Sequence, residues 1–349
     1  MTKYSDLDTK CGLPEFDDID VISLVTKART GMAKERPSKP DTLRGGSVGA
    51  IIDNQVYGIC HRKAYLRFKG VETPLPANIE LMTSQGEQNE EIWLAELRYA
   101  MKNGAKAKGL IVKDQEEFEC TWDTMGTPGS GSPDITFWDK DDRPVLGLEL
   151  KNLSKDSTAI GAHYELRPKT DHLIQAANYS LRMGDLYRNG DPLPYQLVYS
   201  SRSIWTLPKD NPNGKADKRR TAALRGGYDI NSYFGRPNSI SPFHRVYNLH
   251  WDVDGTLRYW TAGLKQWQKT KLTRQSIEDY YQVVATGIDD KNNLGPRPTS
   301  LHLDSKSAYS PCGFCNFSSV CDIGDRLTPD EFKDRCKVVA DKEWAERED

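Results

Sequence analysis

No stretch of this chain approaches the roughly 18 consecutive apolar residues that a membrane-spanning helix requires, so no membrane anchor is expected. The opening residues, MTKYSDLDTK, lack the apolar segment of a secretory signal. Net charge is almost absent: 48 basic side chains meet 50 acidic ones, for a formal charge of −2. Such a chain exerts no global field on nucleic acid, and any basic surface must be local. Repeats and low-complexity tracts are missing too. These absences together predict a soluble, cytoplasmic protein, in the host cytoplasm if the protein is viral.

The chain has 349 residues, enough for one large domain or two. Its seven cysteines are an odd number without an export signal, which argues against a disulfide framework. Cys312, Cys315 and Cys321 cluster in CGFCNFSSVC, and Cys60 lies in ICHRKAYLRF. Cys11, Cys120 and Cys336 are scattered and read as ordinary thiols.

Periodicity predicts helices over about 15–35 and 48–68, the second carrying Cys60. A long helix follows in ANIELMTSQGEQNEEIWLAELRYAMKNG, ended by Asn103 and Gly104. Strands are expected at KGLIVK, FECTWD, DITFWD and PVLGLELKN, and then a helix at KTDHLIQAANYSLRMG that stops at Gly184. YQLVYSS reads as a strand, 207–221 as a loop, and Asp254-Gly255 as a hairpin turn. A helix at SIEDYYQVVATGI and a charged helix from Pro329 complete the chain. Helices alternating with strands argue an α/β fold.

The chemistry gathers at GSPDITFWDKDDRPVLGLELKN. Alternate strand residues share a face, so Leu146, Leu148 and Leu150 point into a core while Gly147, Glu149 and Lys151 point the other way. A hairpin would bring Asp134 beside Glu149. Paired carboxylates suit Mg²⁺ or Mn²⁺, which take oxygen ligands and leave positions for phosphate. A neighbouring lysine can stabilise or help deprotonate an attacking water. A surface salt bridge is the ordinary alternative for Glu149 and Lys151. Glu90 shares a helical stripe with Trp93, Leu94, Leu97 and Met101, where a carboxylate needs a partner. Gln175 and Tyr179 are adjacent on a later helix and suit hydrogen bonds to water or phosphate.

In this order, Gly86-x-x-x-Glu90, Gly131-Ser-Pro-Asp134, Glu149-Leu-Lys151 and Gln175-x-x-x-Tyr179 resemble the PD-(D/E)XK nuclease superfamily, with RecB-like iron–sulfur exonucleases the nearest in pattern. The resemblance implies a restriction-endonuclease-like mixed central sheet flanked by helices. It implies Mg²⁺ or Mn²⁺ held by Asp134, Glu149 and the Leu150 carbonyl, with Lys151 assisting the water and Gln175 and Tyr179 positioning lysine and DNA. Glu90 stands where iron–sulfur members usually carry His and is similar to lambda-type exonucleases. Cys60 with Cys312, Cys315 and Cys321 resembles the pattern of the CRISPR adaptation nuclease and AddB-type nucleases, whose four thiolates hold a [4Fe–4S] cluster. Such a cluster would join the N- and C-terminal segments. Structural zinc is the alternative, with Cys336 or His302 as alternative fourth ligands.

The implied organisation is an N-terminal helical segment over 1–75 and a nuclease core over 76–300 with an insertion at about 205–260. A C-terminal cysteine cluster and tail helix fill 301–349. Local basic runs supply DNA-binding candidates: Arg62 and Lys63 on the Cys60 helix, and Lys218, Arg219 and Arg220 in KADKRRTAALR. A third run, LKQWQKTKLTR, interleaves Trp267 with lysines, a pairing suited to phosphates and unpaired bases. The expected activity is DNA end processing by a metal-dependent exonuclease acting on single strands or ends. A structure-specific endonuclease or nickase, or a non-catalytic DNA-binding scaffold, are the alternatives.

Overall fold

The computed structural model describes residues 40–74, 77–103, 110–152, 167–201, 243–261, 266–287, 315–321 and 327–348. The helix expected at 15–35, the loop at 207–221, the basic residues Lys218, Arg219 and Arg220, and Cys11, His302 and Cys312 lie outside the described residues.

The chain is a mixed α/β protein built on one large sheet. Its strands are β4 (Ile111–Asp114), β7 (Ile135–Trp138), β8 (Pro144–Asn152), β9 (Tyr195–Ser201), β10 (Phe243–Trp251), β11 (Thr256–Thr261) and β12 (Gln266–Thr273). Their spatial order is β12-β11-β10-β9-β8-β7-β4. Only β8 and β9 run parallel; the other neighbours are antiparallel. That one parallel step needs a crossover, and α3 (Thr170–Tyr187) lies within it. Two small sheets flank the large one: β1 (Leu43–Arg44) with β6 (Thr127–Gly131) and β5 (Cys120–Thr124), and the β2 (Gly49–Ile52) and β3 (Gln55–Gly58) hairpin. The remaining helices are α1 (His61–Phe68), α2 (Ala77–Asn103), α4 (Arg274–Thr286), the short α5 (Ser318–Cys321) and α6 (Pro329–Glu348). Among the described residues, no helix is long and apolar enough to cross a membrane.

Two predicted elements are corrected. The helix expected over 48–68 is the β2–β3 hairpin followed by α1. Asp53 and Asn54 both adopt positive φ, 51° and 60°, which makes the tight turn that a hairpin uses and a helix cannot. The strand β6 went unforeseen, because TPGSG carries turn residues rather than strand formers. Helix α3 runs past Gly184 to Tyr187. Gly184 is there for close packing: a Cβ would lie 2.4 Å from the Asp191 carbonyl oxygen.

Both faces of β8 are buried. Leu148 and Leu150 pack with Ile135, Phe137, Val112 and Val198 beneath Trp93, Leu94, Leu97 and Met101 of α2. The opposite face enters the main core, where Tyr195, Leu197 and Tyr199 of β9 meet Leu173, Ala176 and Tyr179 of α3 and Ile277 and Tyr281 of α4. A third cluster joins distant parts of the chain. Tyr65 and Leu66 of α1 pack on Phe317, Cys321, Phe332 and Cys336.

Helices α3 and α4 are tied by a buried charge. Arg182 pairs with Glu278 at 2.7 Å and lies over the rings of Trp122 and Tyr281 at 5.3 and 5.5 Å. Removing the carboxylate leaves a guanidinium whose side chain is 4% exposed with only the longer Asp185 contact, at 3.9 Å, to balance its charge. Glu278→Ala is expected to cost about 3 kcal/mol, read as a lowered urea midpoint at unchanged slope.

Candidate active site

The β7–β8 hairpin delivers the first carboxylates. Ile135 pairs with Leu148, so Asp134 precedes β7 beside the strand segment that carries Glu149. Asp134 Oδ2 accepts a hydrogen bond from the Leu150 backbone N–H at 2.7 Å. Glu149 points away from Leu148 and Leu150 and is 0% exposed. Lys151 follows on the same face and donates from Nζ to Glu149 Oε1 at 2.5 Å. Glu149 Oε2 is buried without a hydrogen-bond partner. An orphaned carboxylate oxygen in a protein interior is costly and calls for an explanation.

Glu90 arrives from α2. Its Oε2 accepts from Gln115 Nε2 at 3.2 Å. It lies close enough to Asp134, Glu149 and Lys151 for their charges to act on one another. The three acids reinforce each other's reluctance to ionise. Burial first, and then Asp134, push Glu90 up to about 8. The same causes push Glu149 up to about 8 against the pull of Lys151. Asp134 is also raised, chiefly by burial. Burial favours the neutral Lys151 amine, but Glu149 and Asp134 outweigh it and hold the group as an ammonium. Among the described residues, no three His, Cys, Asp or Glu side chains are spaced as a finished metal site.

Helix α3 closes the other side. Tyr179 is 2% exposed, and its hydroxyl sits between two glycines. A Cβ on Gly45 or on Gly131 would lie 2.7 Å from that oxygen. Gly131 of the Gly-Ser-Pro-Asp stretch is thus the seat of Tyr179. Gly45, just after β1, is its counterpart. Gln175 lies one turn earlier, with Gly46 alongside; a Cβ there would be 3.8 Å from Nε2.

His172, three residues before Gln175, was not singled out by the sequence. Its Nδ1 lies 3.1 Å from Tyr199 Oη. Burial, with Lys151 and Lys169 adding to it, pulls its pKa down to about 3. The folded value lies below the unfolded value of about 6.5, so the unfolded chain takes up this proton first. The stability that neutral His172 contributes is therefore present above pH 6.5 and lost as pH falls toward 3. Wild type is expected to lose about 2 kcal/mol relative to His172→Gln between pH 6.5 and 4.5, measured by denaturant titration at each pH.

The cysteines divide. Cys60, at the start of α1, feels the charges of both Cys321 and Cys315, and burial pushes its thiol up to about 11. Cys336 of α6 is also beside Cys321 and Cys315, and burial pushes it up to about 12. Cys336 therefore joins the cluster instead of being a remote thiol. Cys120 is buried in the main core, away from this group. Arg62 is 2% exposed, and its Nη1 approaches the Cys321 carbonyl at 3.5 Å. That placement corrects the expectation of a surface phosphate contact: Arg62 is turned toward the C-terminal segment. Lys63 lies near Cys60 and Cys315, its pKa lowered by burial.

No family model matches the chain, and no curated protein matches it. One solved structure, described as "Crystal structure of SSO0001", aligns over 58% of this chain and 84% of its own length at 11% identity, with a TM-score of 0.30. A likeness of that size bears on neither fold nor activity.

Proposed function

We propose that this protein is a divalent-metal-dependent DNA nuclease that hydrolyses phosphodiester bonds from DNA ends, on a restriction-endonuclease-like core. The observation that carries the reading is the meeting of half-buried Glu90, Asp134 and Lys151 around the fully buried Glu149, drawn from α2, the turn before β7, and β8, with Glu149 Oε2 left without a partner. A structural salt bridge needs one acid for one base. Here three acids crowd one lysine, burial and mutual repulsion oppose their ionisation, and a bound cation would favour their charged forms.

The donors fit Mg²⁺ or Mn²⁺, because carboxylate oxygens and a backbone carbonyl are hard ligands. Glu149, Asp134, Glu90 and the Leu150 carbonyl would hold the ion. When bound, it would supply charge stabilisation to the phosphate and the leaving oxygen. Lys151, kept as an ammonium by its acids, serves best as a fixed positive charge that orients the attacking water and stabilises the phosphorane-like charge. On α3 the Gln175 amide would hold a phosphate oxygen, and Tyr179, packed against Gly45 and Gly131, would fix the helix beside the acids.

The C-terminal thiols support a second element of the reading. Cys60, Cys315 and Cys321 approach one another from opposite ends of the chain. Soft sulfur donors fit a [4Fe–4S] cluster or a structural zinc ion. Cys312 is the fourth donor in the sequence pattern, and Cys336 stands in reach of the same group.

The test is end-labelled linear DNA, single- and double-stranded, beside closed single-stranded circles, with Mn²⁺ and with Mg²⁺. Cleavage of linear substrates with circles spared is expected. Rapid cutting of circles would move the activity to an endonuclease, and no cleavage of any substrate would overturn the reading.

A further inference from the structure

His172 carries chemistry that the carboxylates and lysine do not use. It lies on the stripe of α3 that also holds Gln175 and Tyr179, at offsets of three and seven residues, which fall on one helical face. Its neighbour Tyr199 pairs in register with Lys151 across β8 and β9, so both side chains stand on the same face of the sheet. His172 therefore stands over the strand pair that holds the lysine.

The hydrogen bonds around Tyr199 suit one histidine tautomer. The Tyr199 hydroxyl oxygen accepts the Lys169 backbone N–H at 2.9 Å. Its own proton is free to be donated to His172 Nδ1, 3.1 Å away. With Nδ1 accepting, the proton of the neutral ring resides on Nε2. No protein group among the described residues hydrogen-bonds Nε2. A donor held in a fixed direction, and left without a protein acceptor beside a cationic lysine, is the arrangement that meets developing negative charge.

We propose that the Nε2–H of His172, locked by Tyr199, donates a hydrogen bond to a non-bridging oxygen of the scissile phosphate. This rests on the phosphodiesterase reading above and assigns it one further catalytic residue, with Tyr199 as the positioning residue behind it. A neutral donor suits the place. It adds no second positive charge beside Lys151, and it withdraws no proton from the attacking water.

The experiment is steady-state cleavage of an end-labelled oligonucleotide with Mn²⁺ by wild type, His172→Leu, His172→Gln and Tyr199→Phe, with thermal melts of all four. His172→Leu is expected to lose on the order of 10²-fold in kcat with KM within about threefold of wild type. Gln can place its amide N–H near the position of Nε2–H, so His172→Gln is expected to recover most of that loss. Tyr199→Phe, which frees the ring, is expected to fall between them. Wild-type kcat in His172→Leu overturns the inference. So does a His172→Gln as slow as His172→Leu, because the donor is then not what matters. A wild type inactive on every substrate overturns the phosphodiesterase reading, and this assignment with it.

Discussion

Asp134→Asn and Lys151→Ala are each expected to reduce DNA cleavage on the order of 10³-fold or more, since each removes several kcal/mol of transition-state charge stabilisation. The two should differ in stability. The amide oxygen of Asp134→Asn can still accept the Leu150 N–H now received at 2.7 Å, so the hairpin keeps its cross-link. It also removes one of three crowded acids whose ionisation burial and mutual repulsion oppose. Without metal at pH 8, its melting temperature is therefore expected at or above that of wild type. Lys151→Ala leaves Glu149 and Asp134 without their counter-ion and is expected to melt lower. An ordinary salt bridge makes the opposite forecast for Asp134→Asn, and a site built for function at the expense of stability makes this one. Cleavage at the wild-type rate in both variants would remove the assignment.

Cys60→Ala is expected to lose bound iron, or zinc, and with it on the order of 10 °C in melting temperature. The effect is large because Cys60 leads α1 while Cys315 and Cys321 lie near the other end of the chain. A metal among them would tie together the cluster of Tyr65, Leu66, Phe317, Phe332 and Cys336. Protein purified without oxygen should be brown, with broad visible absorption. A colourless protein with one equivalent of zinc would select the zinc alternative, and a metal-free wild type would remove the cofactor. Cys120→Ala is the control, because Cys120 sits in a different core and should leave metal content unchanged.

Much of the site was legible because it depends on local periodicity. The alternation of Val145 to Lys151 places Glu149 and Lys151 on one face whatever the rest of the fold does. The glutamate at offsets of three, four, seven and eleven from Trp93, Leu94, Leu97 and Met101 marks the stripe that packs on β8. What escaped depends on contacts between distant segments. The second face of β8 is roofed by α3 within the main core, which explains why Glu149 is sealed from water. Arg62 sits in a helix whose composition suggests a wet surface, and only the return of the C-terminal segment buries it. Cys336 has no spacing motif; only the folding back of α6 brings it beside Cys315 and Cys321. The β2–β3 hairpin was hidden because GAII and QVYG also satisfy a helical stripe, and the Asp53-Asn54 turn that decides between the two is a weak signal without glycine.

The most direct measurement is calorimetric titration of Mn²⁺ into wild type and Glu149→Gln, both at pH 8. Glu149 carries the orphaned oxygen, and its loss leaves the cysteine cluster untouched. The expected result is one Mn²⁺ site in wild type that is absent or weakened at least tenfold in Glu149→Gln. Equal Mn²⁺ binding by the two proteins, or none by wild type in the presence of DNA, would contradict a shared cation among Glu90, Asp134 and Glu149.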